Sequence, residues 1–196
     1  MIHHDIFKAI KKYFPKGGGI LVNELGDQEI NLNIDGEHVN GIGSQQFFKN
    51  ITTVSIDING ENGSLPLDLS KAIPVKDMPK EADILTDFGT LEHVKSLYFG
   101  LKNSFNLLKS GGLAIHVNPL SGGYVANHGY HYFNEGFWVA YCDLAKLNLV
   151  ESYVQAAYHN EETGREQYAI YEKQSKSKFP TKKEFDKIYK EHITKK

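Results

Sequence analysis

The sequence predicts a single α/β domain with a mostly parallel sheet, and two observations carry this prediction. Residues 82–119 show the pattern of a buried strand, a loop, an amphipathic helix, a Gly-Gly turn and a second buried strand, which is a strand–helix–strand unit of a parallel sheet. The chain of 196 residues, 40% hydrophobic and 23% charged, suits one well-buried core and is too short for two full domains. Ligands bind at the carboxyl ends of the strands in such sheets, so the loop at 87–93 is where we first expect function.

The first half of the chain predicts two further strands of the sheet. Residues 1–16 place apolar side chains at helical spacing between lysines, which favours a short N-terminal helix packed on the domain. Residues 20–25 form an apolar run typical of a central strand, and residues 27–43 are expected to be irregular. Residues 52–57 form a β-branched strand that ends in Asp57. The segment 65–69 is a short extended piece, because Pro66 cannot donate to a sheet ladder.

The second half predicts the remaining helices and strands. A strand at 84–88 is followed by a helix from about Glu92 to Leu108, which Gly111-Gly112 would end with a left-handed cap. A strand at 113–117 leads into a glycine-, tyrosine- and histidine-rich loop at 121–132 and a helix at 133–147. Two strands near 151–158 and 167–171 are joined by a link short enough for a hairpin, so the last pair is expected to be antiparallel.

Composition restricts the classes of partner. The net charge of −2 gives no strong field that would point to nucleic acid or to a membrane surface. No stretch is apolar for long enough to span a bilayer. The single cysteine, Cys142, excludes an internal disulfide and fits a buried, inert thiol, so a cytoplasmic location is expected. The tail 173–196 has nine lysines against three acidic residues, which favours a solvated helix or frayed end over a phosphate- or lipid-binding arm. Nothing indicates an oligomeric state.

Five segments in order carry a resemblance to a known family. The series ILVNELG, VSIDING, LPLDLS, ADILTDFGTLEHV and LLKSGGLAIHVNP resembles the ordered motifs of class I S-adenosylmethionine-dependent methyltransferases, over roughly residues 19–172. The resemblance implies a Rossmann-like, seven-stranded, mostly parallel sheet with helices on both faces and an antiparallel final strand. It implies one methyltransferase-like domain at 1–172, followed by the basic tail at 173–196. It also implies S-adenosylmethionine as the cofactor and methyl transfer to a small-molecule acceptor.

The resemblance also implies which residues hold the cofactor. Asp57 matches the acid that binds the ribose hydroxyls, and Asp68 matches the residue beside the adenine. The full set implied for the cofactor is Glu24, Gly26, Asp57, Ile58, Asp68, Leu69, Phe88 and Thr90. The family's first loop usually has the pattern acid-x-Gly-x-Gly-x-Gly, whereas residues 24–29 keep one glycine, Gly26. This departure leaves open a non-catalytic binding or assembly module that keeps the fold and has lost the cofactor.

Histidines are the candidate general bases, because imidazole titrates near neutral pH. His128 and His131 lie on the loop after the fifth predicted strand, among aromatic residues that include Tyr124 and Tyr130. His93 follows Glu92 after the preceding strand; this pair fits first-turn capping of a helix equally well. His116 lies inside a strand and is expected to be a satisfied core histidine.

The same histidines leave a metal-dependent enzyme as a further alternative. His128 and His131 could bind zinc or a similar ion together with His93, Glu92 or Asp87. The expected loop conformation does not hold residues three apart on one face, so no set of metal ligands is assigned from the sequence.

Overall fold

The computed structural model describes residues 2–3, 11–13, 19–34, 37–43, 51–122, 128–156 and 164–195. These residues form eleven strands: β1 Ile2–His3, β2 Ile20–Leu25, β3 Glu29–Ile34, β4 Glu37–Gly43, β5 Ile51–Ile56, β6 Ala82–Phe88, β7 Leu108–Pro119, β8 His131–Phe133, β9 Asn148–Ala156, β10 Arg165–Glu172 and β11 Ile193–Lys195. They also form three α-helices: α1 Leu97–Leu107, α2 Phe137–Ala145 and α3 Lys182–His192. None of these helices is long and apolar enough to cross a membrane.

Six of the strands form the central sheet, in the order β5-β2-β6-β7-β10-β9. The first four are parallel, and β10 runs antiparallel to both β7 and β9. This arrangement confirms the predicted α/β fold with a mostly parallel sheet and an antiparallel final strand. It brings the carboxyl ends of β5, β2, β6 and β7 to one edge.

The sheet has six strands rather than the expected seven. Beyond β5, Leu65 forms a single parallel bridge with Ile56, and the backbone N–H of Leu65 donates to the carbonyl of Ser55 at 2.8 Å. Pro66 follows directly and has no N–H with which to extend the ladder. In the described part of the chain, the seventh strand is therefore reduced to one bridge.

The three α-helices pack on one face of the sheet. Phe105 of α1, Trp138 and Tyr141 of α2, and Phe185 of α3 share one buried cluster with Leu85 and other sheet residues. On the opposite face, a second cluster includes Val22, Ile84, Phe88, Ile115 and Tyr168. The partly buried Tyr13, from a one-turn 3-10 helix at Lys11–Tyr13, packs against that second cluster. Most of the helix predicted over 1–16 lies outside the described residues. Within that range the structure describes the strand β1 and the 3-10 turn at Lys11–Tyr13, and neither is an α-helix.

Helix α1 is shorter than the predicted helix at both ends. Ser96 caps its N-terminus by accepting a hydrogen bond from the backbone N–H of Phe99 at 3.5 Å. Residues Leu91–His93 form a separate 3-10 turn and not the start of the helix. At the other end, the chain becomes extended at Leu108, so Gly111 lies within β7 and not at a helix cap.

Two segments that were expected to lack regular packing have it. Residues 29–43 were predicted to be irregular, but β3 and β4 form an antiparallel hairpin and β1 adds in parallel to β3. In the basic tail, Thr181 and Glu184 form a capping box at the start of α3. Phe185 is 1% exposed in the core, and β11 pairs with β8. The tail therefore contains a helix whose lysines are exposed to solvent, as expected, and its apolar side packs on the domain.

Candidate functional site

An open cleft of about 530 Å³ lies where β2, β5 and β6 end. This is the edge of an open parallel sheet at which ligands bind. The cleft is lined by residues from four segments: Ile56, Asp57 and Ile58; Leu67, Asp68, Leu69, Ser70 and Lys71; Thr90, His93, Val94 and Lys95; and Tyr130. Five of the eight residues predicted to hold the cofactor are among them, namely Asp57, Ile58, Asp68, Leu69 and Thr90.

Asp57 is held at the end of β5 by the turn that follows it. Its Oδ1 accepts the backbone N–H of Asn59 at 3.1 Å, and its Oδ2 accepts the backbone N–H of Asp27 at 3.1 Å. Its own backbone N–H donates to the carbonyl of Leu65 at 3.1 Å. The carboxylate is partly exposed on the cleft, and each oxygen has further acceptor capacity. It is therefore a fixed anionic acceptor that can take hydrogen bonds from hydroxyl groups.

Asp68 is the second carboxylate of the cleft. Lys71 Nζ lies 2.9 Å from its Oδ2, and Oδ1 accepts the backbone N–H of Ser70 at 2.9 Å. The hydrogen bond from Lys71 lowers the pKa of Asp68, and the bond from Ser70 acts in the same direction. The buried Asn103 holds this segment by donating to the carbonyls of Leu69 and Lys71 at 3.2 and 2.8 Å. Asp68 thus presents an ionised, positioned carboxylate on the same cleft as Asp57.

The loop that follows β2, at residues 24–29, lacks most of the glycines of the methyltransferase pattern, and the side chains of Gln28 and Thr90 occupy the space around it. The Thr90 hydroxyl donates to the carbonyl of Leu25 at 2.7 Å, and Gln28 Nε2 donates to the same carbonyl at 3.1 Å. Gly26 has a φ of +76°, and a Cβ at this position would lie 2.4 Å from Thr90 Oγ1. Only glycine therefore fits at this point of the loop.

Two of the predicted cofactor residues have their side chains buried elsewhere. Glu24 is 2% exposed, and its Oε2 accepts the Ser55 hydroxyl at 2.7 Å and the backbone N–H of Gln28 at 3.4 Å. Phe88 is 5% exposed and packs in the second hydrophobic cluster, with Val22 and Ile84. Neither these two residues nor Gly26 lines the cleft. Their predicted contacts with the cofactor stay predictions.

A buried polar network lies directly behind the loop that follows β6. Asp87 is 0% exposed; its Oδ1 accepts the backbone N–H groups of Thr90 and Leu91 at 3.0 and 3.1 Å. Its Oδ2 lies 2.9 Å from His116 Nδ1 and accepts Asn118 Nδ2 at 2.9 Å. His116 Nε2 lies 3.2 Å from the hydroxyl of Tyr171. His116 is therefore a satisfied core histidine, as the sequence suggested, and the network fixes the turn that carries Thr90.

The three candidate histidines fall into two separate places. His93 Nε2 and His128 Nε2 lie 3.9 and 3.7 Å from the same oxygen, Oε1 of the buried Glu92. His131 points away from them: its Nε2 lies 2.8 Å from the carbonyl of Val94 and its Nδ1 lies 2.9 Å from the hydroxyl of Tyr189. Of the three, only His93 lines the cleft. The loop residue Tyr124 lies outside the described residues.

Glu166 is a titratable group near the site that the sequence did not single out. Burial raises the pKa of its carboxyl to about 7; the negative charge of Glu92 acts in the same direction and His128 opposes it. Because β10 runs antiparallel, its first residues lie at the carboxyl edge of the parallel strands, where Glu166 pairs with Pro119 of β7. The predicted antiparallel hairpin was the one signal that could have located this residue.

Comparison with solved structures shows the fold that this chain shares. The structure of coclaurine N-methyltransferase bound to N-methylheliamine and S-adenosylhomocysteine matches with a TM-score of 0.58 at 9% identity, over 86% of this chain and 72% of that one. A Methanosarcina mazei S-adenosylmethionine-dependent methyltransferase matches with a TM-score of 0.53 at 14% identity, over 85% and 97%. No family model and no curated protein matches the sequence.

A third match also contains a bound small molecule. The Burkholderia thailandensis 1,6-didemethyltoxoflavin-N1-methyltransferase, bound to 1,6-didemethyltoxoflavin and S-adenosylhomocysteine, matches with a TM-score of 0.53 at 16% identity, over 81% of this chain and 72% of that one. These matches confirm the resemblance noted in the sequence at the level of the fold. The chain has the Rossmann-like fold of class I S-adenosylmethionine-dependent methyltransferases.

Proposed function

We propose that this protein transfers a methyl group from S-adenosylmethionine to a small-molecule acceptor. The observation that carries the proposal is the cleft at the carboxyl ends of β2, β5 and β6, on which Asp57 and Asp68 are both presented. In support, similar folds have been solved with S-adenosylhomocysteine and a small substrate bound. A cytoplasmic location and the lack of a nucleic-acid partner stay predictions from the sequence.

The residues of the cleft fit the nucleoside half of the cofactor. Asp57 would accept hydrogen bonds from the ribose hydroxyls, and Asp68 with Leu69 would lie beside the adenine. Thr90 and Ile58, which also line the cleft, would contact other parts of the cofactor. S-adenosylmethionine supplies an activated methyl group on a sulfonium. The protein has to align the acceptor with it and exclude water.

Removing a proton from an oxygen or nitrogen acceptor is the second task. His93 and the half-exposed Tyr130 both line the cleft. The ring centroid of His93 lies 4.8 Å from that of His128. We therefore propose His93 or His128 as the general base. We do not propose His131 as the base, because its two ring nitrogens are engaged away from the cleft. Nε2 contacts the carbonyl of Val94, and Nδ1 contacts the hydroxyl of Tyr189.

Replacing Asp57 tests the proposal. Hydrogen bonds to a charged acceptor contribute about 1.5–3 kcal/mol each, so Asp57→Ala should weaken S-adenosylhomocysteine binding by about tenfold to a hundredfold per ribose contact. Calorimetric titration gives this affinity, and urea unfolding gives the stability of the same variant. Glu61→Ala is the matched control, because Glu61 is an exposed carboxylate near the same turn that does not line the cleft. Unchanged affinity in a folded Asp57→Ala protein would remove Asp57 from the cofactor site.

One observation favours a second candidate, a binding or assembly module that keeps the fold without the cofactor. Gln28 and Thr90 occupy the loop around Gly26 and bond to the carbonyl of Leu25, where the methyltransferase pattern has further glycines. Glu24 is likewise engaged with Ser55 inside the protein. A purified protein that binds neither S-adenosylmethionine nor S-adenosylhomocysteine would favour this module over the enzyme.

A further inference from the structure

Glu92, His93 and His128 form a cluster of metal-ligating side chains at the rim of the cleft. Oε1 of Glu92 lies 3.9 Å from His93 Nε2 and 3.7 Å from His128 Nε2. One ligand atom from each of the three residues lies within 4.8 Å of the other two. The Glu92 side chain is 2% exposed, whereas His93 and His128 are 48% and 36% exposed, so the cluster opens to solvent on its histidine side.

We propose that these three residues bind a divalent transition-metal ion. Two imidazole nitrogens and one carboxylate oxygen form a ligand set suited to zinc and neighbouring metals, with one or more positions left open. Bonds of about 2.1 Å at tetrahedral angles would place two ligand atoms about 3.4 Å apart. The two separations from Glu92 Oε1, 3.9 and 3.7 Å, are slightly wider, and all three ligand atoms lie within 4.8 Å of one another. Rotations of the exposed imidazoles would bring the three atoms to bonding distance of one ion.

Neighbouring groups hold the Glu92 carboxylate in place. Asn118 Nδ2 lies 3.3 Å from its Oε2 and donates to Asp87 at 2.9 Å, which leaves Oε1 directed at the histidines. The backbone N–H of Tyr130 donates to the Glu92 carbonyl at 2.7 Å, which ties the loop that carries His128 to the turn that carries Glu92 and His93. Metal ligands are commonly oriented by hydrogen bonds of this kind.

The charge around the cluster also favours a cation. Among the described residues, the ion pairs of Glu92 and Asp87 are all with histidines, and none is with lysine or arginine. A divalent ion bound by these ligands would compensate the negative charge of the buried Glu92 carboxylate.

The position of the cluster suggests what such an ion would do, and this step rests on the proposed function. His93 belongs both to the cluster and to the lining of the cleft. An ion held there would bind an oxygen of the methyl acceptor through its open positions and lower the pKa of that oxygen, so that its proton passes to solvent water on the exposed side of the cluster. The oxygen would then take the methyl group from the sulfonium, and S-adenosylhomocysteine would leave. His93 and His128 would then be ligands and not the base, so methyl transfer would require metal.

Calorimetric titration of the full-length protein, purified without a histidine tag, with zinc tests the site. We expect one equivalent to bind, and His93→Gln and His128→Gln each to weaken binding by about tenfold or more. His192→Gln is the matched control, since His192 Nε2 lies 3.7 Å from Glu191 and away from the cluster. Replacing His3 and His4 together by Gln controls for binding at the N-terminal histidine pair. Cobalt in place of zinc should give the visible absorption of a bound, low-symmetry ion, and His128→Gln should change it.

The proposed ion site would be overturned if zinc did not bind stoichiometrically, or if zinc bound as tightly to His93→Gln and to His128→Gln as to the wild-type protein. Loss of binding in the His3, His4 double variant would likewise assign the ion elsewhere. The same titrations with S-adenosylhomocysteine separate the two proposals. A protein that binds zinc and does not bind S-adenosylhomocysteine would support the ion site and contradict the proposed methyl transfer. A protein that binds S-adenosylhomocysteine and does not bind zinc would support the proposed cofactor site and contradict the ion site.

Discussion

Gly26 offers a sharp test of how the first loop is built. Its backbone has a φ of +76°, and a Cβ added there would lie 2.4 Å from Thr90 Oγ1, so Gly26→Ala should incur two separate penalties. The left-handed backbone costs about 1–2 kcal/mol for a residue with a side chain. The clash adds about 1–3 kcal/mol, because Thr90 must move and its hydrogen bond to the Leu25 carbonyl is strained or lost.

Gly63 provides the matched control for the backbone penalty. Its φ is +83°, and a Cβ there would have nothing within 4 Å. Gly63→Ala should therefore lose about 1–2 kcal/mol from the backbone alone. Gly26→Ala should lose about 2–5 kcal/mol, measured as the free energy of unfolding in urea with an unchanged m-value. The difference between the two variants isolates the contact with Thr90.

A double variant locates the clash in one atom pair. Thr90→Ala removes the hydroxyl that clashes with the new Cβ. The free energy of unfolding that Thr90→Ala removes should therefore be smaller in the Gly26→Ala background than in the wild-type protein. Because Thr90 lines the cleft, Gly26→Ala should also weaken S-adenosylhomocysteine binding if the proposed function is correct. Equal losses of stability in Gly26→Ala and Gly63→Ala would refute the close packing of Thr90 on Gly26.

Two further predictions concern stability. Lys173 Nζ donates to the carbonyls of Phe105 and Leu108 at 2.8 and 2.5 Å, at the end of α1. Lys173→Met should lower the free energy of unfolding in urea by about 2–4 kcal/mol; a loss within error of zero would contradict this. Burial lowers the pKa of His131 from 6.5. Between that lowered pKa and 6.5 the unfolded chain binds the extra proton, so this histidine's contribution to stability falls as the pH drops through that window. His131→Gln should flatten this part of the pH profile, and an unchanged slope would count against it.

The strands of the sheet could be predicted from sequence because their signals are local. The apolar runs of β2, β6 and β7 and the β-branched residues of β5 each indicate a strand without knowledge of any partner. The hairpin of β3 and β4 was missed, although residues 29–34 alternate apolar and polar side chains, because glycines and polar residues dominate the whole segment. The tail was interpreted from its many lysines, so the apolar face of α3, which includes Phe185 and Tyr189, was not predicted to pack on the domain.

The positions of the candidate site residues could be predicted where these residues follow the ends of strands, and could not be predicted where they depend on pairing with distant parts of the chain. Asp57 and Thr90 lie on the cleft because they follow β5 and β6, whose carboxyl ends share one edge. Asp68 reaches the same cleft from the segment that follows the Leu65 bridge beside β5. His131 separates from His128 because it begins β8, where it pairs with Lys195 of β11. That partner lies more than sixty residues along the chain, so no local pattern could show which way the imidazole points.

The central claim is that the cleft at the ends of β2, β5 and β6 binds the nucleoside of S-adenosylmethionine. Titration of isotope-labelled protein with S-adenosylhomocysteine, followed by NMR of the backbone amides, tests it most directly. The account predicts saturable shifts that are largest at residues 56–58, 67–71, 90 and 93–95, which line the cleft. No saturable shifts, or shifts confined to another surface such as the lysine-rich face of α3, would contradict it.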